Sequence, residues 1–182
     1  DLFIIMPSKE NSSVFEYAKE LKDLFPTTPV VLLTPFSREV FQRVFAGEDL
    51  TAIDYTFNWL GETDILLAIV KLLEDKMNVD QDVKSVGVQA ILFVEDSIHF
   101  YSALLPYLYK HVFLQSRSFM TEALNEHEQM LRMRGRPKIL LARNYEEAKE
   151  LYDKYQKNLL GLVTDVRFPK DGELYARSGI EL

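Results

Sequence analysis

Residues 90–97 read Ala-Ile-Leu-Phe-Val-Glu-Asp-Ser, and this stretch decides the fold prediction. Five apolar residues in a row, Ala90–Val94, predict a strand that is buried on both faces, as in parallel sheets. Two carboxylates, Glu95 and Asp96, follow directly, and Ser97 is of a type that favours helix starts. A strand that passes into a helix through a short polar corner is the repeating unit of a doubly wound sheet.

The same alternation recurs along the whole chain. Apolar runs predict strands at Leu2–Met6, Val30–Leu33, Ala52–Phe57, Ala90–Val94, Lys138–Ala142 and Leu159–Thr164. Segments with helical spacing predict helices at Val14–Leu24, Ser37–Phe45, Ile65–Met77, from Ser97 onward, at Tyr145–Tyr155 and near Ala176. A Pro/Gly turn is expected at Phe168–Gly172. We therefore predict an α/β fold with a doubly wound parallel sheet.

The stretch between Ser97 and Arg136 is too long for an ordinary crossover. It spans about 39 residues with apolar positions throughout, whereas a crossover needs only about a dozen or more. We predict a long inserted helix or helical hairpin around residues 97–136. Because large exposed apolar stripes usually mark an interface, we expect this element to pair two copies of the chain as a homodimer.

Composition excludes several classes of protein. The chain has 182 residues, no cysteine and a formal net charge of −7. Without cysteine there are no disulfides, thiolate metal sites or cysteine nucleophiles. The basic footprint of a general nucleic-acid binder is missing, and no apolar run approaches the ~20 residues of a membrane helix. We expect a cytoplasmic protein that binds neither nucleic acid nor membrane.

A third carboxylate, Asp165, follows the apolar run Leu159–Thr164. The carboxyl ends of parallel strands meet at one sheet edge, where doubly wound folds bind ligands, so Asp165 is expected beside Glu95 and Asp96. Three close carboxylates repel one another, and oxygen ligands suit hard cations. The pattern predicts a Mg²⁺ site. The alternative is a serine-capped helix start with solvated acids and a turn-forming Asp165.

Three segments resemble parts of response-regulator receiver domains. Residues 91–97 resemble the first receiver strand with its acidic pair, and residues 144–148 resemble the start of the second helix. Residues 165–172 resemble the phosphoacceptor aspartate with the proline and glycine of the loop that follows it. The resemblance implies a flavodoxin-like, receiver-type fold.

The resemblance also implies roles for individual residues. Asp165 would be the phosphoacceptor, and Mg²⁺ would be held by Glu95, Asp96, Asp165 and the backbone carbonyl of Arg167. A carboxylate that attacks a phosphoryl group needs such a cation to shield like charges. A histidine kinase or another phosphodonor would be the partner.

The first half of the chain resembles the later part of another receiver, through residues 1–6, 30–34 and 54–60. Thr34 matches the switch residue of that family. Met6 stands where the phosphoacceptor aspartate is expected, and Asn58 stands where a lysine is expected. Because a thioether cannot be phosphorylated, this half resembles a degenerate receiver without phosphoryl chemistry.

The resemblance divides the chain into two incomplete receivers. Residues 1–78 match the C-terminal part of the degenerate one, 79–89 form a linker, and 90–182 match the N-terminal part of the second, with an extended first helix. Open strand edges invite pairing. We therefore expect residues 1–6 to lie beside 159–164 in one six-stranded sheet, formed either within one chain or between two chains by a swap.

The arrangement also resembles the N-terminal region of bacterial proteins of the phosphoenolpyruvate synthase or pyruvate phosphate dikinase type. This implies a receiver-like regulatory module with an attached or partner phosphotransferase domain. One alternative is a non-phosphorylated pseudo-receiver whose long helix assembles subunits. The other is a part of a phosphotransferase enzyme that uses pyruvate or phosphoenolpyruvate. The sequence shows no Gly-rich phosphate loop and no phosphohistidine motif, so an activity of the chain itself stays undecided.

Overall fold

The computed structural model describes residues 1–7, 14–35, 50–120 and 135–182, with the backbone alone for 118–120. The chain divides into two compact units. The first unit comprises Asp1–Ile65 and Ile98–Ala103, and the second unit comprises Leu66–Ser97 and Leu104–Leu182. None of the helices in the described part of the chain has the length and apolar character needed to cross a bilayer.

The first unit is built on a three-stranded parallel sheet. Its strand order β1-β2-β3 follows the order along the chain, and Ile4 pairs with Val31 while Leu33 pairs with Phe57. The elements are β1 (Phe3–Ile5), α1 (Val14–Leu24), β2 (Val30–Thr34) and β3 (Tyr55–Asn58). Helix α1 buries one apolar face, which contributes to a core together with β1 and β2.

The second unit contains another three-stranded parallel sheet, in the order β5-β4-β6. The chain starts on the central strand, adds β5 on one side and then adds β6 on the other. The elements are α2 (Asp64–Val86), β4 (Ala90–Val94), α3 (Ile98–Met120), β5 (Lys138–Ala142), α4 (Tyr145–Tyr155) and β6 (Leu159–Thr164). Helices α2 and α3 each begin with residues assigned to the first unit and continue in the second.

A short terminal segment follows β6. Strands β7 (Phe168–Lys170) and β8 (Glu173–Tyr175) form an antiparallel hairpin, and α5 (Ser178–Glu181) follows. The two residues of the hairpin turn, Asp171 and Gly172, have φ values of 55° and 81°. A two-residue turn with both φ values positive is of type I′ and suits Asp-Gly. The predicted turn at Phe168–Gly172 is therefore the start of a hairpin.

The α/β class and the parallel sheets are confirmed, and most predicted elements lie where expected. Helix α1, strands β4, β5 and β6 and helix α4 have the predicted bounds. Strand β3 begins at Tyr55 rather than Ala52, because the preceding residues form a turn in which the Ile53 N–H donates to the Leu50 carbonyl. Asp54 joins this turn to the sheet: its N–H donates to the Val30 carbonyl, and its carboxylate accepts the Val30 N–H.

Helix α2 continues to Val86, beyond the predicted end at Met77. Val79 is buried in the core of the second unit and Val83 packs against the same cluster, one helical turn further on. These contacts extend the apolar face of the helix. The helix therefore occupies most of the stretch predicted as a linker.

Helix α3 accounts for the first 23 residues of the predicted long insertion, Ile98–Met120. Its Pro106 lies inside the helix. Residues 121–134 lie outside the described part of the chain, as does the predicted helix at 37–45. Whether the insertion is one helix or a hairpin stays a prediction.

The predicted pairing of residues 1–6 with 159–164 is not found within the single chain, and the pairing between two chains stays a prediction. Among the described strands, β1 pairs only with β2, and β6 pairs only with β4. Strand β6 is exposed along most of its length, as an edge strand is. A strand that is paired on one side can leave its other edge solvated, so two open edges need not pair with each other.

Candidate metal centre

Three strand ends meet at one edge of the second sheet. Val94, the last residue of β4, pairs in register with Ala142 of β5 and Thr164 of β6. The ladder continues one residue further on both sides. The Glu95 N–H donates to the Ala142 carbonyl at 3.0 Å, and the Asp165 N–H donates to the Val94 carbonyl at 3.1 Å. The backbone therefore brings Asp165 beside the Glu95–Asp96 pair.

The three predicted carboxylates form a cluster. One carboxylate oxygen from each of Glu95, Asp96 and Asp165 lies within 4.8 Å of those of the other two. Glu95 is buried, Asp96 is half-buried and Asp165 is exposed. The cluster therefore has a closed side at Glu95 and opens to solvent at Asp165.

The charges in this cluster disfavour one another. Burial raises the pKa of Glu95, and the negative charges of Asp165 and Asp96 add to that rise, against the Ser97 N–H that stabilises the carboxylate. Burial likewise raises the pKa of Asp96, and the negative charge of Asp165 adds to the rise, against a hydrogen bond from the Asp96 N–H and the positive charge of Arg167. A cation placed among the three oxygens would remove this repulsion.

Backbone hydrogen bonds orient the carboxylates of Glu95 and Asp165. Glu95 Oε1 accepts the Ser97 N–H at 3.0 Å, so the residue just before α3 also orients the buried carboxylate. Asp165 Oδ1 accepts the Val166 N–H at 2.6 Å. The Thr164 hydroxyl donates to the Asp165 carbonyl oxygen at 2.7 Å. An all-oxygen set of this kind fits a hard divalent cation such as Mg²⁺.

The other predicted ligand is the backbone carbonyl of Arg167. Arg167 lies two residues after Asp165, and its side chain is exposed. Its positive charge is close enough to lower the pKa of Asp96. The assignment of its carbonyl as a metal ligand stays a prediction.

The corresponding edge of the first sheet carries different chemistry. Met6, after β1, is exposed, whereas Thr34 and Asn58, the paired last residues of β2 and β3, are buried. The Asn58 N–H donates to Ser102 Oγ at 2.8 Å, and Asn58 Nδ2 lies 3.2 Å from His99 Nδ1. The described residues place no acidic group of three at this edge.

Sequence reasoning missed a buried ion network in the second unit. Asp75, on α2, is fully buried and binds Arg136 through both carboxylate oxygens, at 2.6 and 3.1 Å. The same carboxylate accepts the Tyr109 hydroxyl at 3.1 Å and the Ile139 N–H at 3.0 Å. Lys138 Nζ lies 3.8 Å from Asp75 Oδ1 and 2.7 Å from Asp82 Oδ2.

One signal in the sequence points to this network. Asp75 lies three residues after Leu72 and four before Val79, which are both buried, so it occupies an inward position of α2. An acidic residue at an inward position needs a buried partner. Its partners, Arg136 and Lys138, come some 60 residues later, and no local pattern links them to it.

Comparison with known proteins identifies no relative. No family model, no curated protein and no solved structure matches this chain.

Proposed function

We propose that the second unit is a receiver-like regulatory module that binds Mg²⁺ at Glu95, Asp96 and Asp165 and accepts a phosphoryl group on Asp165. The observation that carries this proposal is the approach of three carboxylates within 4.8 Å from the ends of two neighbouring parallel strands. Three carboxylates this close repel one another, and a bound divalent cation would offset that repulsion.

The exposure of the three residues supports different roles for them. Glu95 and Asp96 are covered enough to act as fixed ligands, whereas Asp165 faces solvent, where a phosphodonor has access. Bound Mg²⁺ would supply positive charge that offsets the carboxylates and the incoming phosphoryl oxygens. The Arg167 carbonyl is the fourth proposed ligand.

The proposed reaction needs only one bond exchange. An oxygen of the Asp165 carboxylate attacks the phosphorus of the donor, and the bond from phosphorus to the donor's leaving atom breaks. With a small acyl phosphate, the donor leaves as its carboxylate and Asp165 becomes an acyl phosphate. With a histidine kinase, the leaving atom is an imidazole nitrogen.

The test is phosphorylation by a small acyl phosphate in the presence of Mg²⁺, followed by intact-mass analysis. We expect one phosphoryl adduct on the wild type and none on Asp165→Asn. The matched control is Asp171→Asn, because Asp171 is an exposed aspartate of the same segment and its positive φ suits asparagine. Absence of the adduct from the wild type, under conditions that label an ordinary receiver, would refute the phosphoacceptor role.

The wider setting follows from the resemblance given above. We propose that a histidine kinase or related phosphodonor loads the module, and that the output is an attached or partner phosphotransferase domain of the phosphoenolpyruvate synthase type. The first unit, with Met6 at the acceptor position and Asn58 at the lysine position, would be the degenerate receiver, and Thr34 its residual switch residue.

A second candidate function is subunit assembly by α3. Four large side chains at helical spacing, Phe100, Leu104, Tyr107 and Leu114, are each about half exposed or more. A twofold pairing with a second copy would cover this stripe. Light scattering of the wild type and of Leu114→Glu tests it, and we expect a dimer that the substitution weakens. A monomeric wild type at tens of micromolar would contradict this function.

A further inference from the structure

We infer that Gly179 is a positioning residue for Asp165, which holds the candidate phosphoacceptor in the carboxylate cluster through direct backbone packing. The consequence for cation binding rests on the function proposed above. The geometric part stands on contacts within the second unit alone.

The first observation is a close backbone approach. Gly179 is the second residue of α5, and a Cβ added to it would overlap the carbonyl oxygen of Asp165 and lie 3.1 Å from Thr164 Oγ1. Backbone atoms cannot swing aside as the end of a side chain can. Only glycine therefore lets α5 lie directly against the residue that ends the β6 ladder.

The second observation is a hydrogen-bonded path from α5 to the carboxylate. The Gly179 N–H donates to the Val166 carbonyl at 3.1 Å. The N–H of the same Val166 donates to Asp165 Oδ1 at 2.6 Å. The main chain of Val166 is thus held from one side by α5, while from the other it orients the carboxylate of Asp165.

The third observation is that side-chain hydrogen bonds join α5 to the terminal hairpin. The Ser178 side chain is fully buried and its hydroxyl donates to the Phe168 carbonyl at 2.6 Å. Glu181 accepts hydrogen bonds from Lys170 Nζ at 2.7 Å and from the Tyr175 hydroxyl at 2.9 Å. The terminal hairpin and α5 are therefore held together, and we expect them to keep the backbone of Asp165 and Val166 in place.

The consequence is a specific sensitivity at Gly179. Gly179→Ala removes no carboxylate and no hydroxyl, yet it forces α5 and the Asp165 carbonyl apart. Residues that only orient metal ligands typically change metal affinity by roughly 10–100-fold when they are replaced. We expect a loss of Mg²⁺ affinity in this range, together with faster exchange of the Val166 amide.

The experiment measures two quantities on the full chain, and it uses two controls. Hydrogen exchange of the Val166 amide is followed by NMR in cation-free buffer, and Mg²⁺ affinity by calorimetry. Gly161→Ala is the matched glycine control, because a Cβ there meets nothing within 4 Å. Leu151→Ala is the stability control, because the half-buried Leu151 packs on the core of the same unit.

The inference predicts that Gly179→Ala speeds exchange of the Val166 amide and weakens Mg²⁺ binding, while both controls keep wild-type values per folded molecule. It is overturned if the Val166 amide exchanges at the wild-type rate in Gly179→Ala. Equal losses in Leu151→Ala would also overturn it, because they would show a general effect of instability.

Two further results separate the inference from the proposed function. If the wild type binds no Mg²⁺ but Gly179→Ala still exposes the Val166 amide, the proposed function fails and the positioning inference holds. If Gly179→Ala does not fold, Glu181→Gln loosens α5 without any overlap. It should then speed Val166 exchange several-fold, and an unchanged rate would overturn the inference.

Discussion

The two units contain three-stranded parallel sheets that differ in their order of winding. In the first unit the strands follow the chain order, whereas in the second the chain starts on the central strand and then builds on both sides of it. Doubly wound folds bind ligands where the winding reverses. In the second unit that point lies between β4 and β6, where the cluster of Glu95, Asp96 and Asp165 is found.

The units also differ in how they use charge. The second unit encloses the Asp75–Arg136 pair, with side chains that are 0% and 5% exposed, whereas the Lys22–Asp54 pair of the first unit is 21% and 38% exposed. The two units therefore have similar sheets but different charged side chains, both at the ends of their strands and in the core under their helices.

The largest effect is expected at Asp165. Asp165→Asn should abolish the phosphoryl adduct completely, since the amide has no carboxylate oxygen to attack phosphorus. Intact-mass analysis after treatment with an acyl phosphate measures this. If Asp165→Asn retained the adduct, another residue would be the one modified. The proposal that the edge of the second sheet accepts the phosphoryl group at Asp165 would then be wrong.

A large effect on folding is expected at Arg136. Arg136→Met leaves the carboxylate of Asp75 buried without its main cation, and breaking a buried pair from one side costs roughly 3–5 kcal/mol. Lys22→Met in the first unit breaks a partly exposed pair, which is worth about 0–1 kcal/mol. Urea unfolding of the two variants compares them, and equal losses would show that the two pairs are energetically alike.

A smaller, pH-dependent effect is expected from the carboxylate cluster. The pKa values of Glu95 and Asp96 are raised in the folded state, so the folded chain holds these protons more tightly than the unfolded chain. The stability that they contribute is fully present below their ordinary values of 4.5 and 3.8 and is lost as the pH rises through the folded values.

Asp96→Asn should therefore gain stability relative to the cation-free wild type as the pH rises from about 4 to 7. Urea unfolding at the two pH values measures this difference, and addition of Mg²⁺ should stabilise the wild type more than the variant. A difference that does not change with pH would mean that neither burial nor the neighbouring charges raise the pKa of Asp96 in the folded protein.

The smallest effect is expected in the first unit. Met6 is exposed at the end of β1, so Met6→Asp should change stability by no more than about 0.5 kcal/mol. The variant should also gain no Mg²⁺ binding, because a single carboxylate beside Thr34 and Asn58 does not supply enough oxygen ligands for the cation. Calorimetry that detected a new Mg²⁺ site in Met6→Asp would show that the two edges differ by a single residue only.

Much of the second unit could be predicted from the sequence. Strands such as Ala90–Val94 and Lys138–Ala142 are continuous apolar runs with polar ends, and Asn144 begins α4 by accepting the Glu147 N–H at 2.8 Å. These signals are local. The cluster of carboxylates was also predictable, because strand ends in a parallel sheet share one edge.

The features that the sequence did not reveal depend on distant contacts. The length of α2 depends on the packing of Val79 and Val83 in a core that later segments complete. The bond between Asp75 and Arg136 joins residues that are 61 positions apart. The approach of Gly179 to Asp165 depends on the seating of α5, which is too short to show a periodic pattern.

We propose above all that the second unit binds a divalent cation at Glu95, Asp96 and Asp165. Calorimetric titration of the cation-free chain with Mg²⁺, alongside the same titration of Asp96→Ala, is the decisive measurement for this binding. We expect one binding site in the wild type and a clear loss of affinity in the variant. Equal and negligible heats for the two proteins would contradict it.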